Sequence, residues 1–492
     1  DWPIVRSSGG MISTASDYAR FCQMYLDRGN SRGKQILAPE SIREATRIQT
    51  GHTRTDHELA TNPSFYGLGW SVDTHGIYSH SGSDGTAAWI DPERRLVVLV
   101  FTQSPGGPNP SRLFFESILA ASDEGDRSLE EQLRPRLADL GYRIGDIPTG
   151  GTNAITDVAG VQVGHETVCI GDDIRTGVTA IQPHGGNVFL HKVPAAVHVA
   201  NGFGKFVGLS QIEELGVLES PIVLTNTLST FAAADALTEW SLRQPGCERI
   251  QSVNPIVGEC NDGGLNNIRK QAINSQHVFS ALRKCRTGRV LEGCVGAGTG
   301  VRCMGWKSGI GTSSRKLPES SGGYTLGVLV QSNFGGSLTI AGVPVGKVLD
   351  TAAKKDERNK QEHGSCMIVL ATDAPLDSRR LKRIASRATL GLGSVGTTIS
   401  HGSGDYVIAF STSEDVRVPF NSSEGIDKIS VLRDEQLTPL FQAARDATEE
   451  AIIHSILRAT TTSGYSGARI EAIEPSDVLR ILSEHGRTPM PP

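Results

Sequence analysis

Six apolar residues in a row, Cys366-Met-Ile-Val-Leu-Ala371, constrain this chain more than any other stretch. Gly364-Ser365 precedes them and Thr372-Asp-Ala-Pro375 follows, so the run reads as a buried strand at the centre of a sheet. A central strand needs neighbours on both edges and covering layers on its faces. The rest of the chain is patterned to supply them. Residues 158–163, 177–181, 195–199, 222–225 and 406–410 read as strands. Helices are expected over 209–218, over 230–242 with Ala232, Ala233, Ala236, Leu237 and Trp240 on one face, and over 271–284. Another carries Pro375 in its first turn and Leu381, Ile384, Ala385 and Ala388 inward, with Gly391 near its end, and Thr438-Pro439 opens a long one. Residues 324–331 and 338–343 are expected to pair as a hairpin through Asn333-Phe-Gly-Gly336. This mixture predicts an α/β (α+β) protein with two sheets faced by helices.

Composition narrows the function. A length of 492 residues predicts more than one domain, and 38% hydrophobic with 21% charged residues is ordinary for a globular chain. A net charge of −5 and the lack of a basic run with interleaved aromatics argue against nucleic acid. No apolar stretch approaches the ~18 residues of a membrane span. The eight cysteines form no Cys-x-x-Cys pair, which predicts free thiols and a cytoplasmic location, although a chain opening with Asp1-Trp2-Pro3 leaves a signal peptide open. Neither a metal site nor a cofactor site is expected. The run Gly296-Ala-Gly-Thr-Gly300 has Val301 where a dinucleotide fingerprint needs glycine, so tight backbone packing is the better reading.

The chemistry gathers at Ser365. A charged segment, 354–363, leads into Gly364-Ser365 and the strand. If the Gly364–Ser365 bond is cut, Ser365 becomes an amino terminus on a rigid sheet, and its own α-amine, with an ordinary pKa near ~8, can act as base for its hydroxyl. On these residues alone, an ordinary Gly-Ser turn at a loop-to-strand junction is the simpler reading.

Further stretches change that reading. From about Leu137, the blocks Gly141-Tyr-Arg-Ile-Gly-Asp-Ile-Pro-Thr-Gly150, Asn153-Ala-Ile-Thr-Asp-Val-Ala-Gly-Val-Gln-Val-Gly-His165, Val253-Asn-Pro-Ile-Val-Gly-Glu259, Gly309-Ile-Gly-Thr-Ser-Ser-Arg315 and Gly327-Val-Leu-Val-Gln-Ser-Asn-Phe-Gly-Gly336 stand in order before Gly364-Ser365. This part resembles the self-processing aminopeptidases that include L-aminopeptidase D-Ala-esterase/amidase and the β-peptidyl aminopeptidases. The resemblance implies a four-layer α-β-β-α sandwich of the N-terminal-nucleophile type. It implies cleavage between Gly364 and Ser365, giving parts 137–364 and 365–492, and a homo-oligomer of processed units. The substrates implied are short peptides, amino-acid amides or esters. Ser365 would be the nucleophile and Asn333, by itself a plain turn residue, the side-chain donor to the oxyanion. Ser403 would bond the Ser365 amine or hydroxyl, and Asp405 would orient it; both lie in His401-Gly-Ser-Gly-Asp405, expected to be a turn before a strand. The sequence departs from the family at Gly264, where an aromatic, often Tyr, is common, and at Ser308, where glycine is usual. An acyltransferase on a related fold and a non-catalytic binding or scaffold fusion stay open as alternatives.

Residues 1–122 read differently. Thr14-Ala-Ser-Asp17 fits a capping box ahead of Tyr18, Phe21, Cys22 and Tyr25, and Pro39 starts a second helix. Short strands follow around Tyr78, His80, 87–90 and 96–101, then a helix over 111–121. Gly9-Gly-Met-Ile-Ser-Thr14 and Tyr66-Gly-Leu-Gly-Trp70 resemble the carboxy-terminal part of the serine β-lactamase and D-aminopeptidase superfamily, which implies a partial α/β domain of that type. His80-Ser-Gly82 stands where that family carries its third motif. The segment's one Ser-x-x-Lys, Ser31-Arg-Gly-Lys34, lies in a Gly-rich loop after elements that should follow a nucleophile, so this domain is expected to lack catalysis of its own. Residues 123–136 read as a charged linker and 137–492 as the aminopeptidase-like domain.

Overall fold

The computed structural model describes residues 14–50, 65–72, 76–82, 86–92, 95–101, 134–352, 363–421 and 425–489. The chain divides into two compact units, Asp1–Asp123 and Glu124–Pro492. The expected linker up to residue 133 and the helix at 111–121 lie outside the described residues.

In the first unit, helix α1 (Ala15–Leu26) starts as its sequence asks, with the Thr14 hydroxyl accepting from the Asp17 N–H. Helix α2 (Pro39–Ala45) has Pro39 at its first position. Strands β1 (Phe65–Tyr66), β2 (Ser71–Val72), β3 (Tyr78–Ser81), β4 (Ala87–Asp91) and β5 (Leu96–Val100) form one sheet in that order. Cys22 and Leu26 pack on Trp70, Val72, Tyr78, Ala88 and Ile90. His80 lies on β3, inside the sheet. Ser31 and Lys34 face each other across a two-residue turn, a surface hairpin and not the start of a buried helix.

The second unit stacks four layers. One sheet runs β9-β12-β11-β7-β6, from β6 (Gln162–Ile170), β7 (Ile174–Gln182), β9 (Phe206–Val207), β11 (Ile222–Asn226) and β12 (Ile256–Cys260). The larger sheet runs β10-β8-β16-β15-β14-β13, with β17 (Val418–Pro419) also on β8. Its strands are β8 (His191–Gly202), β10 (Val217–Leu218), β13 (Ile310–Lys316), β14 (Thr325–Asn333), β15 (His363–Thr372) and β16 (Gly402–Ser411). The apolar run lies on β15, antiparallel to β14 and parallel to β16.

Period-two alternation sends successive side chains of β15 to opposite cores. Met367, Val369 and Ala371 meet Leu224, Ile256 and Cys260 of the facing sheet. Cys366, Ile368 and Leu370 meet Leu381, Ile384 and Ala388 of α5 (Ser378–Ser394) and Leu440, Ala447 and Ile452 of α6 (Thr438–Leu457). Burying each such aliphatic side chain contributes up to about 1.5–3 kcal/mol. The smaller sheet buries Val178, Ala180, Val223 and Val257 under α3 (Thr230–Leu242) and α4 (Ser275–Arg283). Helix, sheet, sheet, helix is the expected sandwich.

Several local expectations are corrected. Residues 338–343 form no strand, because β13 and β15 already fill both edges of β14. Leu338, Ile340 and Val343 join the helix-side core around an isolated Ile340–Val343 bridge. Asn333 is therefore the last residue of a strand and not part of a hairpin turn, and Ser403 and Asp405 lie within β16 and not before it. Pro375 precedes α5, whose first turn is capped by the Asp377 side chain. On α3, Ala232 faces out and Ala234 is buried in its place. The 209–218 helix ends at Leu215, where Gly216 adopts a φ of 69° and the chain enters β10.

Charged residues also fill part of the core. The buried Arg315 on β13 approaches Glu450 of α6 to 2.5 Å, and Glu450 also accepts from Asn153 at 3.0 Å. Nearby, Glu292 accepts from Arg136 at 2.5 Å and from the Thr312 N–H at 3.0 Å. Burial alone would raise the Glu292 carboxyl, but Arg136, His454 and Arg458 outweigh it and hold it down at about 2. The stability it contributes is thus present above its ordinary value of 4.5 and lost as pH falls toward 2.

Replacing Arg315 with Met leaves the buried Glu450 carboxylate without its guanidinium partner. This should cost about 3–5 kcal/mol, read as a lower urea midpoint at pH 7. A midpoint within about 1 kcal/mol of the parent would show that the pair does not hold α6 to the sheet.

Candidate active site

The ends of β12 and β14 and the start of β15 border a cavity of ≈ 500 Å³ whose lining includes Glu259, Gly264, Arg302, Asn333, Gly364 and Ser365. Ladder register fixes its central pair. Asn333 is directly opposite Ser365 between β14 and β15. Directly opposed residues of a ladder project to the same side, so both side chains face the cavity. The Asn333 Nδ2 lies 3.5 Å from Ser365 Oγ. Its amide is oriented from behind, because Oδ1 accepts the Arg302 backbone N–H at 3.3 Å, which leaves the NH₂ group to face the serine. Both residues are buried, at 3% exposure.

Gly364 admits no side chain. A Cβ there would lie 2.7 Å from Phe334 Cα and 2.8 Å from the Asn333 carbonyl oxygen, which presses the peptide before Ser365 against β14.

Ser403 and Asp405 come close through the parallel partner of β15. Ser403 pairs with Gly364 and Asp405 with Cys366, one residue either side of Ser365. They share the alternation of Val407 and Ala409, on the helix side of the sheet, so the structure does not bring their side chains onto the cavity wall with Ser365 and Asn333. Burial pushes the Asp405 carboxyl up to about 6, against the Ser403 hydroxyl beside it and the Cys366 N–H. Ser403 Oγ and Asp405 Oδ2 are both buried without a hydrogen-bond partner among the described residues. These two atoms lie close to the Ser365 backbone, through the pairing of Ser403 with Gly364 and of Asp405 with Cys366.

Sequence reasoning missed Glu259 and Arg302 as site residues. Glu259 lies within the buried strand β12, one residue before its end, at 3% exposure, accepting the Lys205 N–H at 2.9 Å and the Thr227 hydroxyl. A carboxylate between Ile256-Val-Gly and Cys260, inside an otherwise apolar run, was the available signal, since burying one is costly without a purpose. Arg302 carried no such signal. Gly264, the family departure, does line the cavity, and a Cβ built on it meets only Arg302 Nε, at 4.0 Å. The Gly296–Gly298 turn is buried against β7, and Gly300 reaches the cavity edge. Among the described residues no His, Cys, Asp and Glu cluster could hold a metal, and no helix is long and apolar enough to cross a membrane.

The family model for peptidase family S58 matches residues 153–470. The chain belongs to that family. An S58 relative, β-peptidyl aminopeptidase BapA of Sphingosinicella microcystinivorans, is 37% identical over 393 residues, covering 75% of this chain and 94% of its own. Solved structures agree with the S58 assignment. The L-aminopeptidase D-Ala-esterase/amidase of Ochrobactrum anthropi, described as a variant of the Ntn hydrolase fold, is 36% identical with a TM-score of 0.67 over 72% of this chain and 99% of its own. A β-aminopeptidase from Burkholderia sp. is 39% identical with a TM-score of 0.67, over 72% of this chain and 100% of its own. Residues 1–121 match the β-lactamase family model. The S58 member is thus an enzyme, a serine hydrolase of the aminopeptidase class with the Ntn-type sandwich.

Burial of the Asp405 carboxyl has a measurable consequence. Its raised folded pKa means that the folded chain holds a proton more tightly than the unfolded one, so stability falls as pH rises from 3.8 through about 6. In a Ser365→Ala background, Asp405→Asn should therefore be the more stable protein at pH 7, with the two urea midpoints converging near pH 4. Equal midpoints at pH 7 would mean the carboxylate is already paired.

Proposed function

We propose that the chain cuts itself between Gly364 and Ser365 and then works as an N-terminal-serine aminopeptidase on short peptides, amino-acid amides or esters. The observation that carries this reading is the Ser365 hydroxyl facing the Asn333 amide in a cavity bounded by a buried carboxylate, Glu259. In self-cleavage, Ser365 Oγ attacks the Gly364 carbonyl carbon, the C–N bond breaks as the nitrogen takes up a proton, and an ester links the two parts. Water then hydrolyses that ester, leaving a Gly364 carboxylate and a free Ser365 α-amine. The buried Asp405 Oδ2 supports this step, because an ammonium formed near it adds a charged donor.

In peptide hydrolysis the neutral amine takes the Ser365 proton as Oγ attacks the scissile carbonyl, and Asn333 Nδ2 stabilises the oxyanion. Loss of the leaving amine gives an ester on Ser365, which water cleaves by the reverse proton route. Glu259 is placed to receive the substrate's own ammonium, which selects for a free amino terminus. A cavity of ≈ 500 Å³ suits a short peptide better than a folded protein. Eight free cysteines support work in the cytoplasm, and exposed Leu228 and Phe231 support assembly of processed units into a homo-oligomer. The boundaries 1–122, 123–136 and 137–492 fit the division at Asp123 and the two family matches.

On a denaturing gel the expressed chain should run as two fragments, with the smaller one beginning at Ser365, and Ser365→Ala should run as one. An alanine variant that still splits at that bond would sink the self-cleavage. Asn333→Ala should leave substrate affinity nearly intact and slow turnover by roughly 10²–10³-fold, with slower processing as well. A normal kcat in folded, processed Asn333→Ala would remove this residue from the mechanism.

A further inference from the structure

We infer that the cavity contains a carboxylate-binding subsite built on Arg302, opened by the missing side chain at Gly264. The enzyme then prefers substrates bearing a second, anionic group besides the free amine. This rests on the aminopeptidase reading and adds the substrate class.

Arg302 is half-buried on the cavity wall, and its guanidinium has no hydrogen-bond or ion-pair partner among the described residues. Other arginines buried in this unit behave differently: Arg136 and Arg315 each meet a buried carboxylate. The space at Gly264 beside Arg302 is open: a Cβ built there meets only Arg302 Nε, at 4.0 Å. A ring at position 264 would fill that space.

Charge balance points the same way. Among the described residues Glu259 is the one acid on the lining, whereas Lys205 and Arg302 are both cations. Once a substrate ammonium neutralises Glu259, Arg302 remains unanswered. A guanidinium presents a planar fork of donors that matches a carboxylate in two parallel hydrogen bonds, so an acid is the chemical class it selects. Because the Arg302 backbone N–H holds Asn333 Oδ1, the side chain springs from a point fixed relative to the oxyanion donor.

Two sources could provide the carboxylate: the side chain of an acidic amino-terminal residue, or the free carboxy terminus of a dipeptide. Processed enzyme is assayed on Asp-Ala amide, on Ala-Ala and on Ala-Ala amide. One of the first two should exceed the third in kcat/KM by about tenfold or more, and which one does so identifies the source. Arg302→Ala should bring that ratio to within about twofold, Arg302→Lys should keep part of it, and Gly264→Tyr should lower it by filling the space. The position-264 backbone is not left-handed, so Tyr meets no strain there. Equal rates on all three substrates, or a preference that survives both Arg302→Ala and Gly264→Tyr, would overturn the subsite. If none is turned over, the aminopeptidase reading fails. Calorimetric binding of the same three compounds to the parent protein and to Arg302→Ala then decides the subsite alone, with equal affinities overturning it.

Discussion

The hydrogen-bond ladder on both edges of β15 is the constraint from which the rest of the second unit follows. An antiparallel partner sets Asn333 opposite Ser365, and a parallel partner sets Gly364 and Cys366 opposite Ser403 and Asp405. A slip of one residue in either pairing would turn every side chain to the other face. The alternating burial of Met367, Val369 and Ala371 against one layer, and of Cys366, Ile368 and Leu370 against the other, makes such a slip prohibitively costly. The site is thus placed by packing that lies several residues away from it.

Much of this was legible in the sequence, and the reasons differ by element. The apolar run declared a central strand because only a strand covered on both faces can use six apolar residues in succession. The helix at Thr438-Pro439 was legible from its start signal and its long apolar face. Residues 338–343 misled because a short apolar segment pairs as a strand only if an edge is vacant, and the vacancy depends on β13 and β15, one of them distant in sequence. Asn333 and the 401–405 segment misled for a related reason. Their Gly and Asn residues resemble turns, yet the ladder extends through them.

The nucleophile region could be read from residue order and resemblance, but its electrostatics could not. That Asp405 is pushed up by burial depends on which face of β16 it takes. Glu259 lies more than a hundred residues before Ser365, and only the meeting of the two sheets brings it to the same cavity. Arg302 is an ordinary basic residue in a string; its meaning comes from what Gly264 lacks.

The buried Arg315–Glu450 pair bears on how this fold responds to heat. The cost of stripping water from charges falls as temperature rises, whereas the gain from hiding apolar surface levels off. The clamp between α6 and β13 therefore tightens in relative terms on warming, while the aliphatic contacts beside it gain little. Gly364 lies on the same sheet as Arg315, two strands away.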